Sequence, residues 1–155
     1  MSNPFMQRAI ALAVENVRLG RGGPFGAVIV KDGAIVAEGY NIVTSSCDPT
    51  AHAEVTAIRR AAAALGQFHL SGCEIYTSCE PCPMCLGAIY WAHIDRIYYG
   101  CTHKDAADIG FDDSVIYQEM RRPLGERKIP IIGMDRDGAM AAFDAWRTAT
   151  TKIDY

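Results

Sequence analysis

Segments of helical hydrophobic period alternate along this chain with short apolar runs, which predicts an α/β domain with helices on both faces of a mixed sheet. Two further observations support that class. A tight hairpin signal, Lys31-Asp32-Gly33, separates two strand-like runs and requires an antiparallel pair. At 155 residues and 50% hydrophobic, the chain is long and apolar enough for one domain over 1–155 with a full core.

The elements follow in order. Met6, Ala9, Ile10, Ala13, Val14 and Val17 form one helical face, with Ser2 or Asn3 as cap and Pro4 early in the helix. Phe25 to Val30 and Ala34 to Glu38 are the hairpin strands. Asp48-Pro49 then has the form of an N-cap and first-turn proline, opening a helix through Val55, Ile58 and Ala62. A strand at Cys73 to Thr77 leads into a helix starting near Cys82, and a further strand spans Arg96 to Tyr99. A short helix at Ser114 to Met120, a strand at Ile129 to Ile132 and an amphipathic helix at Ala139 to Thr150 complete the pattern. No repeat, low-complexity run or linker divides it.

Fifteen basic residues against 18 acidic give a net charge of -3, with no basic stripe for a polyanion. No nucleic-acid partner is therefore expected. No apolar run approaches the roughly 20 residues of a membrane span, and no charged-then-apolar leader opens the chain. Six cysteines, three of them within Cys79 to Cys85, point to a metal site in a reducing cytoplasm and away from a disulfide framework. Cys47, Cys73 and Cys101 read as ordinary buried thiols.

The chemistry concentrates in Thr50-Ala51-His52-Ala53-Glu54 and Pro81-Cys82-Pro83-Met84-Cys85. His52, Cys82 and Cys85 offer three ligands that suit zinc and leave its fourth position open, with a carboxylate, Glu54, to spare. Open zinc beside a free carboxylate is an arrangement for activating water, and therefore for hydrolysis. Within a helix interior, residues two apart face nearly opposite ways, so His52 and Glu54 share a target only at a helix N-terminus. Pro83 suits the first helical position, which places both thiols at another helix start, where the dipole favours thiolate. Two helix starts facing one metal is the implied geometry.

Plainer readings accompany each element. His52 alone is a core histidine, and Glu54 alone a first-turn glutamate. Cys79, Cys82 and Cys85 also match an iron–sulfur run, or, with His52, a closed structural zinc. A closed site would leave Glu54 without a task, and a strand end at Cys79 would separate it from the turn that presents Cys82 and Cys85. Gly20 to Gly26 precedes a strand instead of following one and lacks Gly-Lys-Ser/Thr, so its glycines serve close backbone approach and not a phosphate loop. Trp91 and Trp146 are by default core aromatics.

His-x-Glu followed by Pro-Cys-x-x-Cys resembles the signature of the zinc-dependent nucleobase deaminases. The chain is similar in particular to the small bacterial guanine deaminases. The likeness runs through Gly22 to Val30, Asp48 to Ile58, Tyr76 to Trp91, Gly110-Phe111-Asp112-Asp113-Ser114, Ala145-Trp146-Arg147 and Tyr155. It implies a three-layer α/β/α cytidine-deaminase-like fold with a five-stranded mixed sheet. It also implies one zinc per chain and conversion of guanine to xanthine and ammonia. Glu54 would shuttle the proton, with general acid–base catalysis of this kind contributing roughly 10²–10⁴-fold. The remaining roles follow from the same resemblance. Phe25 and Trp91 stack on the base, and Asn41 meets its edge with a donor and an acceptor. The Ala53 N–H recognises a carbonyl, and Asp113 serves as second carboxylate, with Asp112 the neighbouring alternative. A homodimer is implied too, in which the C-terminal segment (about 139–155) is exchanged and Tyr155 covers the partner's pocket. A tRNA adenosine deaminase and a cytosine- or triazine-type amine deaminase are the competing activities, and a metal-stabilised binding module the non-enzymatic one.

Overall fold

A computed structural model of the chain describes residues 3–155. The chain divides into two compact units, Met1–Ser114 and Val115–Tyr155. The first contains α1 (Pro4–Arg18), β1 (Gly26–Lys31), β2 (Ala34–Tyr40), α2 (Val43–Ser46), α3 (Ala53–Leu65), β3 (Cys73–Cys79), α4 (Pro83–Trp91), β4 (Arg96–Cys101) and α5 (His103–Asp108). Its sheet has the order β2-β1-β3-β4, with β1 antiparallel to both neighbours and β3 parallel to β4.

Alternation along β1 sets the layers. Ala27 and Ile29 point into a cluster with Ala53, Ala57, Ile75 and Ile89, on the α3 and α4 side. Val28 and Val30 point the other way, to Leu12 of α1 and Tyr76. A strand buried on both faces reads as a continuous apolar run, and β1 does. The hairpin turn behaves as its sequence predicts. Lys31 pairs with Ala34, and Asp32 and Gly33 both take positive φ, 50° and 75°, as a two-residue type I′ turn needs. Asn3 caps α1, accepting from Phe5 N at 2.9 Å and Met6 N at 3.1 Å, while Ser2 lies outside the described residues.

Three expectations need correction. The buried face of α1 is Ala9, Leu12, Ala13 and Asn16. Ile10, Val14 and Val17 are exposed and, with Phe25 and Ile109, line an apolar groove of about 630 Å³. Gly26 lets the α1 backbone approach β1 on the side of Ala9 and Ala13, since a Cβ there would lie 2.3 Å from Ala9 O and 2.7 Å from Ala13 N, and the larger side chains face outward. Asp48 does not cap α3, whose cap is His52. Instead it closes its own turn, accepting from Thr50 N at 2.8 Å and Thr50 Oγ1 at 2.6 Å. Finally, the described residues form a four-stranded sheet, without the expected fifth strand at 129–132. Strands exist through backbone pairing, Pro130 has no N–H to give, and Ile129, Ile131 and Ile132 are exposed.

The second unit holds α6 (Ser114–Arg121), a 3₁₀ turn (Leu124–Glu126) and α7 (Arg136–Thr148), none with a buried residue. Within it Glu119 accepts from Lys128 N at 2.6 Å and pairs with Arg122 at 3.0 Å. Phe143, Trp146 and Tyr155 are exposed. Among the described residues no helix is long and apolar enough to cross a membrane.

Candidate active site

Two helix starts meet at the site. His52 is the N-cap of α3 and Cys82 the N-cap of α4, with Pro83 in its first turn. Neither side chain caps its own helix, although N-caps are ordinarily Ser, Thr, Asp or Asn. His52 Nδ1 lies 3.6 Å from Cys82 Sγ and 3.6 Å from Cys85 Sγ. The three ligand atoms fall within 4.8 Å of one another, and no other such group of His, Cys, Asp or Glu occurs among the described residues. Local helix rules are broken here in favour of one shared focus. One imidazole nitrogen and two sulfurs at that spacing fit a zinc ion.

Gly39 allows the arrangement. A Cβ there would lie 2.1 Å from Ala53 O and 2.5 Å from Ala57 N, so only glycine lets β2 seat the first turn of α3. That turn carries Glu54, which is 6% exposed and accepts from Cys85 Sγ at 3.5 Å. Burial pushes its carboxyl above the ordinary range, and the charge of Cys82 adds to the shift. The thiols diverge. A hydrogen bond from Cys85 holds Cys82 down to about 4, while the same contact and burial push Cys85 up. A divalent cation would take both as thiolates. His52 is raised, chiefly by its contact with Cys82.

Cys79 stands apart. It ends β3, buried, its thiol pushed up to about 12 by burial, and it donates to Thr102 O at 3.5 Å. It is absent from the ligand group. The other cysteines divide, with Cys73 buried but Cys47 and Cys101 exposed, contrary to the uniform burial expected of them.

The base-binding candidates are spread more widely. Phe25 packs edge-on against Phe111, with ring centroids 5.0 Å apart. Asn41 follows β2, and its Oδ1 accepts from Gly23 N at 3.3 Å and Val43 N at 3.2 Å. Its acceptor is therefore occupied, and of the two functions expected of it only the donor remains. Ala53 is fully buried in the first turn of α3. Trp91 is 70% exposed at the far end of α4, roughly 13 Å along the helix from Cys82 by the 1.5 Å rise per residue. Tyr155 ends the second unit.

Of the two aspartates, Asp112 turns back to Ser114 N at 2.9 Å. Asp113 is half-buried, and its carboxyl is raised first by burial and then by the charge of Cys82. Glu80 is a residue the sequence did not single out. It accepts from His103 N at 3.1 Å and meets His103 Nδ1 at 2.8 Å, fastening α5 to the segment that leads into Cys82. Only its place before Pro81-Cys82 hinted at this.

Comparison with known proteins agrees with this geometry. Residues 2–101 match the cytidine and deoxycytidylate deaminase zinc-binding region. The guanine deaminase of Bacillus subtilis is 58% identical over 151 residues, 97% of each chain. An X-ray structure of guanine deaminase from Bacillus subtilis superposes with a TM-score of 0.96 at 56% identity, covering 100% of this chain and 99% of that one. A tRNA-specific adenosine deaminase of Agrobacterium fabrum is 49% identical over 77 residues, 50% of this chain and 51% of its own. The matched region contains the His52, Cys82 and Cys85 cluster, and the chain belongs to the zinc-dependent cytidine and deoxycytidylate deaminase family.

Proposed function

We propose that this chain hydrolyses guanine to xanthine and ammonia. The observation that carries the reading is the near-complete likeness to a guanine deaminase, 58% identical across 97% of both chains. The tRNA-specific relative matches only half of this chain, and a net charge of -3 does not favour RNA phosphates.

His52, Cys82 and Cys85 would hold the zinc, one per chain. When bound, zinc supplies the positive charge that acidifies water at neutral pH. The residues divide the remaining work. Glu54 is positioned beside the ligands in an apolar setting that favours its protonated form, so it can take a proton from water and return it to the base. The Ala53 N–H and the Asn41 amide donor would orient the base, and Phe25 would stack on it. Asp113, half-buried and within reach of the Cys82 charge, would assist the departing amine, in preference to the turned-back Asp112.

The reading extends to assembly. A homodimer that exchanges its C-terminal segment (about 139–155) would give Tyr155 a partner's site to cover and bring Trp91 into use as a wall. The apolar groove beside Ile10, Val14 and Val17 and an α7 with no buried residue support this arrangement. Ammonia release from free guanine, adenine, cytosine, cytidine and a tRNA anticodon arm tests the activity. Guanine should far outpace the rest, and adenosine-to-inosine conversion without guanine turnover would overturn it.

A further inference from the structure

A polar residue buried in α1 has no place in the chemistry so far. Asn16 is 1% exposed and lies on the apolar face of the helix with Leu12 and Ala13. Its Nδ2 donates to Gly23 O at 2.8 Å and to Asn41 O at 2.8 Å. Its Oδ1 is buried with no partner among the described residues. Turning the amide over would set an oxygen against two carbonyl oxygens, so the contacts fix its orientation. An orphaned buried acceptor is unfavourable, and it accompanies two donors committed to Gly23 O and Asn41 O.

Those donors tie together the two segments that carry the candidate base contacts. Gly23 O, held by Asn16, also accepts from Phe25 N at 2.9 Å, and Asn41 N donates to Phe25 O at 3.1 Å. Across the same clamp Gly23 N donates to Asn41 Oδ1 at 3.3 Å. A Cβ on Gly22 would lie 2.3 Å from Asn41 O, so the loop closes here only with glycine. Asn41 Oδ1 is thus enclosed by backbone donors. Its Nδ2, at the opposite corner of a planar amide, has no partner among the described residues.

We infer that Asn16 is a positioning residue for substrate. By clamping Gly23 and Asn41 it fixes the Asn41 side chain as a hydrogen-bond donor only, matched to a purine edge that presents acceptors. The O6 and N7 atoms of guanine form such an edge, whereas an amine at position 6 presents a donor to it. Asn16 thereby selects 6-oxo over 6-amino purines without touching either. The inference rests on the proposed guanine deamination and adds a determinant of its selectivity.

The test begins with wild-type protein on guanine and on 2,6-diaminopurine, which keeps the amine at position 2 and replaces the oxygen at position 6. A wild type that leaves guanine untouched defeats the functional reading itself, before any variant is made. Asn16→Asp then keeps volume and removes both donors. The expected result is a folded, zinc-loaded protein whose KM for guanine rises about tenfold, the effect of one lost hydrogen bond, with a smaller change in kcat. Its preference for guanine over 2,6-diaminopurine should collapse toward unity. Guanine affinity by calorimetry in a Glu54→Gln background should fall in parallel. Should Asn16→Asp not fold, Asn16→Ser, with one donor retained, takes its place in the same assays. An unchanged KM and unchanged base preference in a folded variant would overturn the inference. So would collapse of both variants, which would leave Asn16 a folding residue.

Discussion

Replacing Gly39 by alanine tests whether β2 sets the position of the turn that carries His52 and Glu54. The added Cβ would meet Ala53 O at 2.1 Å, about 1 Å short of the 3.0 Å floor that real contacts respect, and Ala57 N at 2.5 Å. Both neighbours are α3 backbone, which cannot swing aside as a side chain would. The first turn of α3 must therefore shift by about 1 Å from β2, changing the positions of His52 and Glu54 relative to Cys82 and Cys85 at the start of α4. Overpacking of this kind costs about 1–3 kcal/mol, which lowers Tm by roughly 2–12 °C in a chain of this size. A displacement of about 1 Å at a reacting group costs on the order of 100-fold in rate. Calorimetric melting, zinc content and kcat/KM on guanine read out the three consequences. We expect a less stable protein that keeps its zinc and loses about two orders of magnitude in kcat/KM. A variant with wild-type melting and wild-type turnover would refute the claim that Gly39 seats α3.

Other outcomes follow from the site. Glu54→Gln should retain zinc and lose about 10²–10⁴-fold in turnover, so near-normal ammonia release would remove Glu54 from the proton path. Cys82→Ala and Cys85→Ala should lose zinc and melt earlier because metal binding is coupled to folding, whereas Cys79→Ser, outside the ligand group, should keep it. Equal zinc loss at Cys79 would favour a closed or cluster site. Deleting Lys152 through Tyr155 should leave a folded, zinc-loaded protein with at least about tenfold lower activity, an effect of excluding water from the bound base, and unchanged catalysis would show that the tail does not close the site. Arg8 hydrogen-bonds Glu38 and holds its carboxyl below the ordinary 4.5. That pair stabilises the fold above pH 4.5 and loses its contribution as pH falls through the depressed value. The melting difference between wild type and Glu38→Gln should therefore shrink below pH 4.5, and a constant difference would contradict the pairing.

Features fixed by local chemistry were legible in the sequence. Asp32-Gly33 required positive φ at both positions and has it. Pro83 belonged in a first helical turn and lies there. Features decided by tertiary contact were not. The helical period of α1 is compatible with either of two apolar stripes, and the choice falls to the one carrying Ala9 and Ala13, whose backbone closes on Gly26 of β1. Asp48 has every local qualification for a helix cap, yet His52 takes that place, its imidazole turned to Cys82 and Cys85 where the helix would prefer a hydroxyl. Ile129 to Ile132 have strand composition, but a strand depends on a partner that no local pattern specifies. Asn41 was visible as a polar residue at a strand end. That its oxygen is consumed by Gly23 N and Val43 N depends on a loop and a helix start brought together by folding.

The most direct measurement incubates zinc-loaded protein with guanine in ¹⁸O-labelled water and weighs the purine product. Hydrolytic deamination predicts xanthine bearing a single heavy oxygen, formed in step with ammonia, and about 10²–10⁴-fold more slowly by the Glu54→Gln protein at the same zinc content. Absence of xanthine, or xanthine without the label, would contradict the assignment of this site to water-dependent removal of the guanine amine.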